Sequence, residues 1–282
     1  MTLLLLALAA CRPAAAPPLP TPRELLSRVD YEPFWSSDGS QITFISNRNG
    51  PFNVYTMRSD GSSVRRITTH AGPDDTPAFS PDARQIAFVS EIDGNPEVYV
   101  VPAEGGALRR LTRNPGPDLH PTWSPDGSSI LYNAGSEDGQ RIDLCVMSVE
   151  GRQDRCLTHG GINTYASYTG DGTRIVYRRS VGENRSQIRV LRPADGVDVA
   201  VTDGQFFDGW PAWSPGASAM VFASDRGGRF ELYTVGSGGE GLRRIGGAGE
   251  RSTNPRWDPK GRRVLFTARR GRAIDIFLVD IP

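Results

Sequence analysis

Short apolar stretches recur along the chain, each closed by a polar turn, and none continues long enough or with the right spacing for a helix. One set reads 41–46 (Gln-Ile-Thr-Phe-Ile-Ser), 85–90 and 220–224. A second follows at 53–58, 97–101 and 231–235, and a third at 64–68, 108–112 and 242–245. Turn signals separate them, as at Asp38-Gly39 and Asp60-Gly61. A fourth short piece, 33–36, opens the series. The chain therefore reads as all-β, in units of four strands.

The unit repeats. Pro33-Phe34-Trp35-Ser36-Ser37-Asp38-Gly39 returns as Pro77-Ala78-Phe79-Ser80-Pro81-Asp82-Ala83 and as Pro121-Thr122-Trp123-Ser124-Pro125-Asp126-Gly127. Shorter or altered copies begin at Ala166, Pro211 and Pro255. The starts at 33, 77, 121, 166, 211 and 255 give steps of 44, 44, 45, 45 and 44. Such a period, with four strands per repeat, predicts a six-bladed β-propeller of four-stranded antiparallel blades. The sixth repeat shows only three strands. Arg23-Glu24-Leu25-Leu26-Ser27 is similar to Arg109-Arg110-Leu111-Thr112, so an N-terminal strand is expected to complete the last blade and close the ring.

The aromatic-Ser-x-Asp-Gly turn, the later Tyr (Tyr55, Tyr99, Tyr233) and the Arg-Arg-Leu-Thr strand together resemble the TolB-like propeller family, over residues 23–282. The resemblance implies a binding scaffold of the bacterial envelope. TolB itself carries an α/β domain before its propeller, and nothing in this sequence corresponds to it, which leaves a role in the Tol system open.

Net charge is zero, from 32 basic and 32 acidic residues, and no basic stripe is present. Nucleic acid is not an expected partner. Residues 1–11 read as a lipoprotein-type signal: an apolar run, Leu3 to Ala10, ends at Cys11 in Leu8-Ala9-Ala10-Cys11, which resembles a lipobox. No Lys or Arg precedes that run. Residues 12–22, rich in Pro and Ala, read as an extended tether. The expectation is a monomeric periplasmic protein, lipid-anchored through Cys11, with the outer membrane favoured.

Candidate chemistry concentrates on one predicted face. Asp30, Asp74, Asp118, Asn163, Asp208 and Ser252 each stand three residues before a repeat start. They read as Asx turns or as an acidic collar around the channel mouth. Between them and the repeats lie Glu32, Thr76, His120, Tyr165, Trp210 and Asn254, which differ from blade to blade as a recognition surface would. Phe206, Phe207 and Trp210 form an aromatic cluster there, either exposed as anchors or buried as a plug. His70, His120 and His159 fall on consecutive connections, but no ligand motif supports a metal, whose identity stays unknown. The aspartates of the Asp-Gly turns (Asp38, Asp82, Asp126, Asp171) read as structural. No nucleophile elbow is present, so no catalytic residue or cofactor is assigned. The Arg-Arg pairs read as solubilising rim.

Cys145 and Cys156 face each other across a predicted hairpin centred on Glu150-Gly151, and a disulfide is expected. A two-residue turn would make them a hydrogen-bonded pair, with Cα atoms about 5.5 Å apart. The favoured function is a non-catalytic propeller binding an envelope protein or peptide. The alternatives are a small-ligand or metal-dependent enzyme or receptor at the channel mouth, and a structural spacer.

Overall fold

A computed structural model describes residues 23–26, 29–152 and 155–281, the first four by backbone alone. The expected signal, tether and lipidation site at Cys11 lie outside the described residues. The described chain forms six four-stranded antiparallel sheets. Blade 1 runs Asp30–Trp35, Gln41–Ser46, Asn53–Arg58 and Arg65–Arg66, from channel to rim. Blades 2 to 5 repeat this order, with inner strands Asp74–Phe79, Asp118–Trp123, Asn163–Tyr168 and Asp208–Trp213. Blade 6 takes three strands from the C-terminus and its outer strand, Arg23–Leu26, from the N-terminus. Arg23 pairs with Leu278, Glu24 with Phe277 and Leu26 with Ile276, so the ring closes without an open seam between its ends.

Both faces of each blade are covered by neighbours, which is why the middle strands are apolar at nearly every position rather than alternating. The core is divided among the six seams. Trp35, Phe44 and Tyr55 of blade 1 meet Leu265, Ile276 and Leu278 of blade 6. Ala78, Val98 and Val100 of blade 2 meet Trp123, Tyr132 and Met147 of blade 3. The repeated aromatic is the inner strand's contribution to its seam, and Trp123 also donates its Nε1–H to Ala78 O of the preceding blade at 3.1 Å.

The Asp-Gly turns lie on the face opposite the channel mouth, and their aspartates bind their own turns. Ser36 Oγ donates to Asp38 Oδ1 at 2.6 Å, and the pattern returns at Ser80–Asp82, Ser124–Asp126 and Thr169–Asp171. The hydroxyl bond, joined by a backbone N–H two residues on, holds each carboxyl below its usual range, Asp171 at about 2 against 3.8.

The outer strands are shorter than the sequence suggests. Ladder pairing covers Arg65–Arg66 and Arg109–Arg110 rather than five residues. The threonine of Arg-Arg-Leu-Thr takes over from the backbone. Its hydroxyl accepts the N–H of Val54 from Thr68 and of Val98 from Thr112, both at 2.9 Å. The arginine pairs, exposed at Arg109, Arg243 and Arg244, do more than solubilise the rim. The second arginine ties the outer strand inward: Arg110 contacts Glu97 at 2.8 Å and Arg244 contacts Glu231 at 2.6 Å. The first reaches the next blade, Arg65 to Ala103 O and Arg109 to Val149 O.

In blade 3 a disulfide stands where this arginine tie would be. Cys145 and Cys156 are joined, with Cα atoms 3.9 Å apart. This is not the hydrogen-bonded pair anticipated above. Leu157 N–H donates to Leu144 O, which leaves the cysteines in the narrow, non-hydrogen-bonded site. The turn causes the change: Ser148 N–H bonds Arg152 O, closing a three-residue loop that moves the hydrogen-bond alternation by one while Cys145 stays opposite Cys156.

Because these carboxyls titrate lower in the folded than in the unfolded chain, their stabilisation is complete above pH 4–5 and is lost as pH falls through the folded values, near 2 for Asp171. Asp171→Asn is expected to lower the melting temperature at pH 7, and by less at pH 2. Melting curves at the two pH values check this; equal losses at both would contradict it.

Candidate functional site

The site begins with a departure from regular strand geometry that occurs once per blade. Glu32, Thr76, His120, Tyr165, Trp210 and Asn254 all have left-handed backbone, with φ of 51°, 48°, 50°, 57°, 53° and 54°. Each marks a register shift in its inner strand, between Tyr31 and Phe34 in blade 1 and between Asp75 and Ala78 in blade 2. Proline follows five of the six. It lacks the N–H that the ladder would require, so a bulge is where a strand tolerates it. The side chains of Glu32, Thr76, His120, Tyr165 and Asn254 line the central channel, with Phe34, Ala78, Thr122 and Arg256 two positions further along. They fill it down to a cavity of about 40 Å³. Trp210 is 7% exposed and belongs instead to the seam between blades 5 and 6.

The acidic collar does not face solvent. Asp30, Asp74, Asp118, Asn163, Asp208 and Ser252 are all at most 1% exposed. Each is the first or second residue of its inner strand, turned back into the blade as a polar latch. Arg48 grips both oxygens of Asp30 at 2.9 Å, and Arg226 bonds Asp208 at 2.8 Å. Asp74 lies against Thr68 and Asn53, with His70 Nε2 at 3.1 Å from its Oδ1. Asn114 donates to Asp118, and Asn163 donates to Ile142 O and Gly160 O. Ser252 donates to Ala248 O. These are turn and loop anchors. An unpaired ring here would desolvate four carboxylates with nothing to compensate.

The aromatic cluster divides. Phe206 is 36% exposed; Phe207 is half-buried under the Arg178 guanidinium, 4.4 Å from its ring centre. A continuous stack runs His120–Tyr165–Trp210–Phe207, at centroid distances of 4.1, 5.3 and 5.5 Å. The loops joining second and third strands also reach this face, a contribution the sequence reading overlooked. They supply Phe52 against Tyr31 and Phe230 against Trp210, besides Arg48 and Arg226. The signal was present: Ser46-Asn47-Arg48-Asn49-Gly50 and Ser224-Asp225-Arg226-Gly227-Gly228 are one motif at equivalent positions.

Charge is uneven around the mouth. Glu32 and Asp75, from neighbouring blades, act on each other and are both pushed up, chiefly by burial. Across the channel, burial brings Arg256 down to about 10 and lowers Arg178. Burial also brings His120 to about 4, helped by Arg256 and Arg178, so the imidazole is neutral at pH 7. The histidines do not converge: His70 latches Asp74, His120 lines the channel and His159 is exposed. Among the described residues no three His, Cys, Asp or Glu side chains are grouped to hold a metal ion.

The regular ring with a built-up mouth defines a propeller scaffold. Residues 58–247 match the model of the Tricorn protease N-terminal beta propeller domain, and the chain belongs to that family. Its fold is also that of TolB propellers. It superposes on a putative TolB from Agrobacterium tumefaciens with a TM-score of 0.72, at 24% identity, over 90% of this chain and 91% of that one. For TolB from Acinetobacter baumannii the TM-score is 0.73, at 22% identity, over 83% and 59%. Among curated proteins it is 30% identical over 119 residues to the uncharacterized peptidase YuxL of Bacillus subtilis (strain 168). That stretch is 40% of this chain and only 18% of the relative's length.

Removing an arginine latch leaves a fully buried carboxylate without its cation. Arg48→Met and Arg226→Met are each expected to destabilise by about 3–5 kcal/mol. Exposed Arg84→Met is expected to change stability by no more than about 0.5 kcal/mol. Denaturant titrations of the three variants check the contrast.

Proposed function

We propose that this protein is a non-catalytic binding scaffold of the bacterial cell envelope, whose channel-mouth face engages a protein or peptide. The observation that carries this is the contrast between a uniform framework and a non-uniform mouth. Six residues share one strained backbone conformation, yet no two are alike: Glu32, Thr76, His120, Tyr165, Trp210 and Asn254. A left-handed backbone costs a non-glycine residue on the order of 1–2 kcal/mol. A merely structural bulge would favour glycine at these positions. Retaining bulky, varied side chains there is what a recognition surface requires. The rigid ring holds the surface in place before a partner arrives, which reduces the ordering cost of association.

The fold shared with TolB propellers supports the envelope setting, as does the Cys145–Cys156 bond, since such bonds persist in oxidising compartments. In this reading residues 1–11 direct export, Cys11 carries the lipid, and residues 12–22 hold the propeller off the membrane.

The buried collar is unsuitable for testing the face, because charge reversal there would unfold the ring. Exposed mouth residues serve instead. A bait carrying Glu91→Lys, Phe206→Glu and Arg251→Glu is expected to lose an envelope partner that the unaltered protein retains. Arg84→Glu with Arg152→Glu, on the opposite face, is expected to keep it. Loss by both variants, or by neither, counts against the mouth as the binding face. In protein recovered from the envelope, thiol blocking before reduction is expected to find Cys145 and Cys156 unreactive; two free thiols would contradict export to an oxidising compartment.

A further inference from the structure

The rim of blade 4 departs from the other five. Outer strands elsewhere carry arginine: Arg23, Arg65–Arg66, Arg109–Arg110, Arg155 and Arg243 with Arg244. Blade 4 has Val197–Ala200 (Val-Asp-Val-Ala) instead. Thr202 Oγ1 accepts the N–H of Ile188 at 3.0 Å, as Thr68 does from Val54, so Val199 stands where Arg65 stands in blade 1. With no arginine to cross it, the seam towards blade 5 is left as a groove of about 220 Å³, lined by Val190, Val197, Val199, Val201, Ser237 and Gly238. Val199 is 54% exposed, the most of any large apolar side chain among the described residues. Charged side chains guard a sheet edge against pairing with another strand, and this edge alone lacks an arginine to do so.

The backbone of the edge is open in a defined register. Val201 N–H donates to Ile188 O at 2.8 Å, and Val199 lies opposite Val190. In an antiparallel ladder this turns the N–H and C=O of Val197 and Val199 inward, and those of Asp198 and Ala200 outward. Asp198 O takes one bond from Arg189 Nη2 at 3.2 Å and keeps a second lone pair. The Asp198 carboxylate points away from the valines, where it meets Tyr177 Oη at 2.8 Å and Arg189 Nε at 3.1 Å. On the valine side Arg192 is paired with Asp195, and Arg174 donates to Ala217 O while lying over Trp213. The strip thus offers apolar side chains and free backbone groups, with the charges around it already met.

We propose that this edge pairs with the same edge of a second copy of the chain, antiparallel about a two-fold axis through Val199. The strand is complementary to itself. Asp198 faces Ala200 of the second copy, and Ala200 faces its Asp198, each pair exchanging the outward N–H and C=O groups. Val199 meets Val199 at the close, non-hydrogen-bonded spacing of about 4.5 Å. Val197, Val199 and Val201 of both copies then form one apolar strip on the same face. Other registers fail. A slip of one residue sets outward groups against inward ones and loses the bonds. An axis through Asp198 opposes two carboxylates. An axis through Ala200 needs Thr202, whose N–H is already turned to Ile188 O at 3.4 Å. A second copy is the occupant because one strand supplies every part of the match. The contact is isologous, so it closes at two copies. The rings lie side by side with their mouths pointing in opposite directions, and both mouths stay free. Each copy contributes a strand of only four residues, so the interface is small and the dimer weak. This dimer replaces the monomer expected from the sequence.

Sedimentation velocity on the purified chain tests the pairing. A monomer–dimer equilibrium is expected, with a Kd of about 10–100 μM. Val199→Lys and Val199→Glu each put two like charges face to face on the axis, and each is expected to weaken the dimer about tenfold or more. An equimolar mixture of the two is expected to restore it, because lysine then meets glutamate. Ala200→Pro removes an outward N–H and leaves the inner ladder in place; it is expected to weaken the dimer about tenfold or more. Leu242→Lys, at a comparably exposed apolar position on blade 5, is expected to change nothing. The mouth variant with Glu91→Lys, Phe206→Glu and Arg251→Glu is expected to dimerise like the unaltered chain, which separates this edge from the proposed binding face. Melting curves confirm that each variant is folded. A chain monomeric up to about 1 mM, a dimer unmoved by Val199→Lys, or a mixture that fails to restore association would overturn the proposal. So would a monomeric chain that loses a captured envelope partner through Val199→Lys, an outcome that gives the edge to a strand of another protein.

Discussion

Everything distinctive about this propeller follows from one backbone constraint: the left-handed residue two positions into each inner strand after its latch. A straight inner strand would send alternate side chains into the channel and the seams along its whole length. The bulge breaks that alternation. It lets the latch residue (Asp30, Asp74, Asp118, Asn163, Asp208 or Ser252) turn back into the blade while the next side chains aim at the channel. One local distortion, repeated six times, therefore serves both cohesion and the mouth. It persists because, in five of the six blades, proline cannot take part in the ladder at the following position, and because the latch is buried and bonded.

Cohesion is otherwise distributed. Each blade shares its apolar residues with two neighbours, so no single core exists whose loss would explain the whole stability. Polar ties reinforce the seams at two radii. Near the channel the latches bind connecting loops; at the rim Arg65 and Arg109 reach the next blade. Blade 3 lacks the second arginine and carries the Cys145–Cys156 bond in its place, with Asp143 satisfied by Thr158 and Gly160. The same mechanical task, holding the outer strand to the third, is met by two different chemistries.

The mouth is electrically polarised although the chain as a whole is neutral. The carboxyl pair of blades 1 and 2 shares the channel with the buried guanidiniums of blades 4 and 6. Confinement is the cause: in a narrow channel every charged group loses hydration, which raises Glu32 and Asp75 and lowers Arg256, Arg178 and His120.

The sequence by itself determined the architecture. A period of 44 or 45 residues, Asp-Gly turns and short apolar runs admit few other folds, and the similarity of residues 23–27 to an outer strand was enough to locate ring closure. These signals are local: turn chemistry and strand patterning are written within a few residues of one another. It also singled out the six left-handed positions, five of which line the channel, because they vary where the repeat does not. Only the tertiary structure decided which of two adjacent rings faces the channel. Asp30 and Glu32 are two residues apart and would share a side in a regular strand; a bulge that depends on packing from neighbouring blades separates them. Burial of the collar, the arginine latches from the second-to-third strand loops, and the pairing of Glu32 with Asp75 all join residues from different strands or blades. Their energetics arise from desolvation in the closed ring, which no stretch of sequence carries on its own.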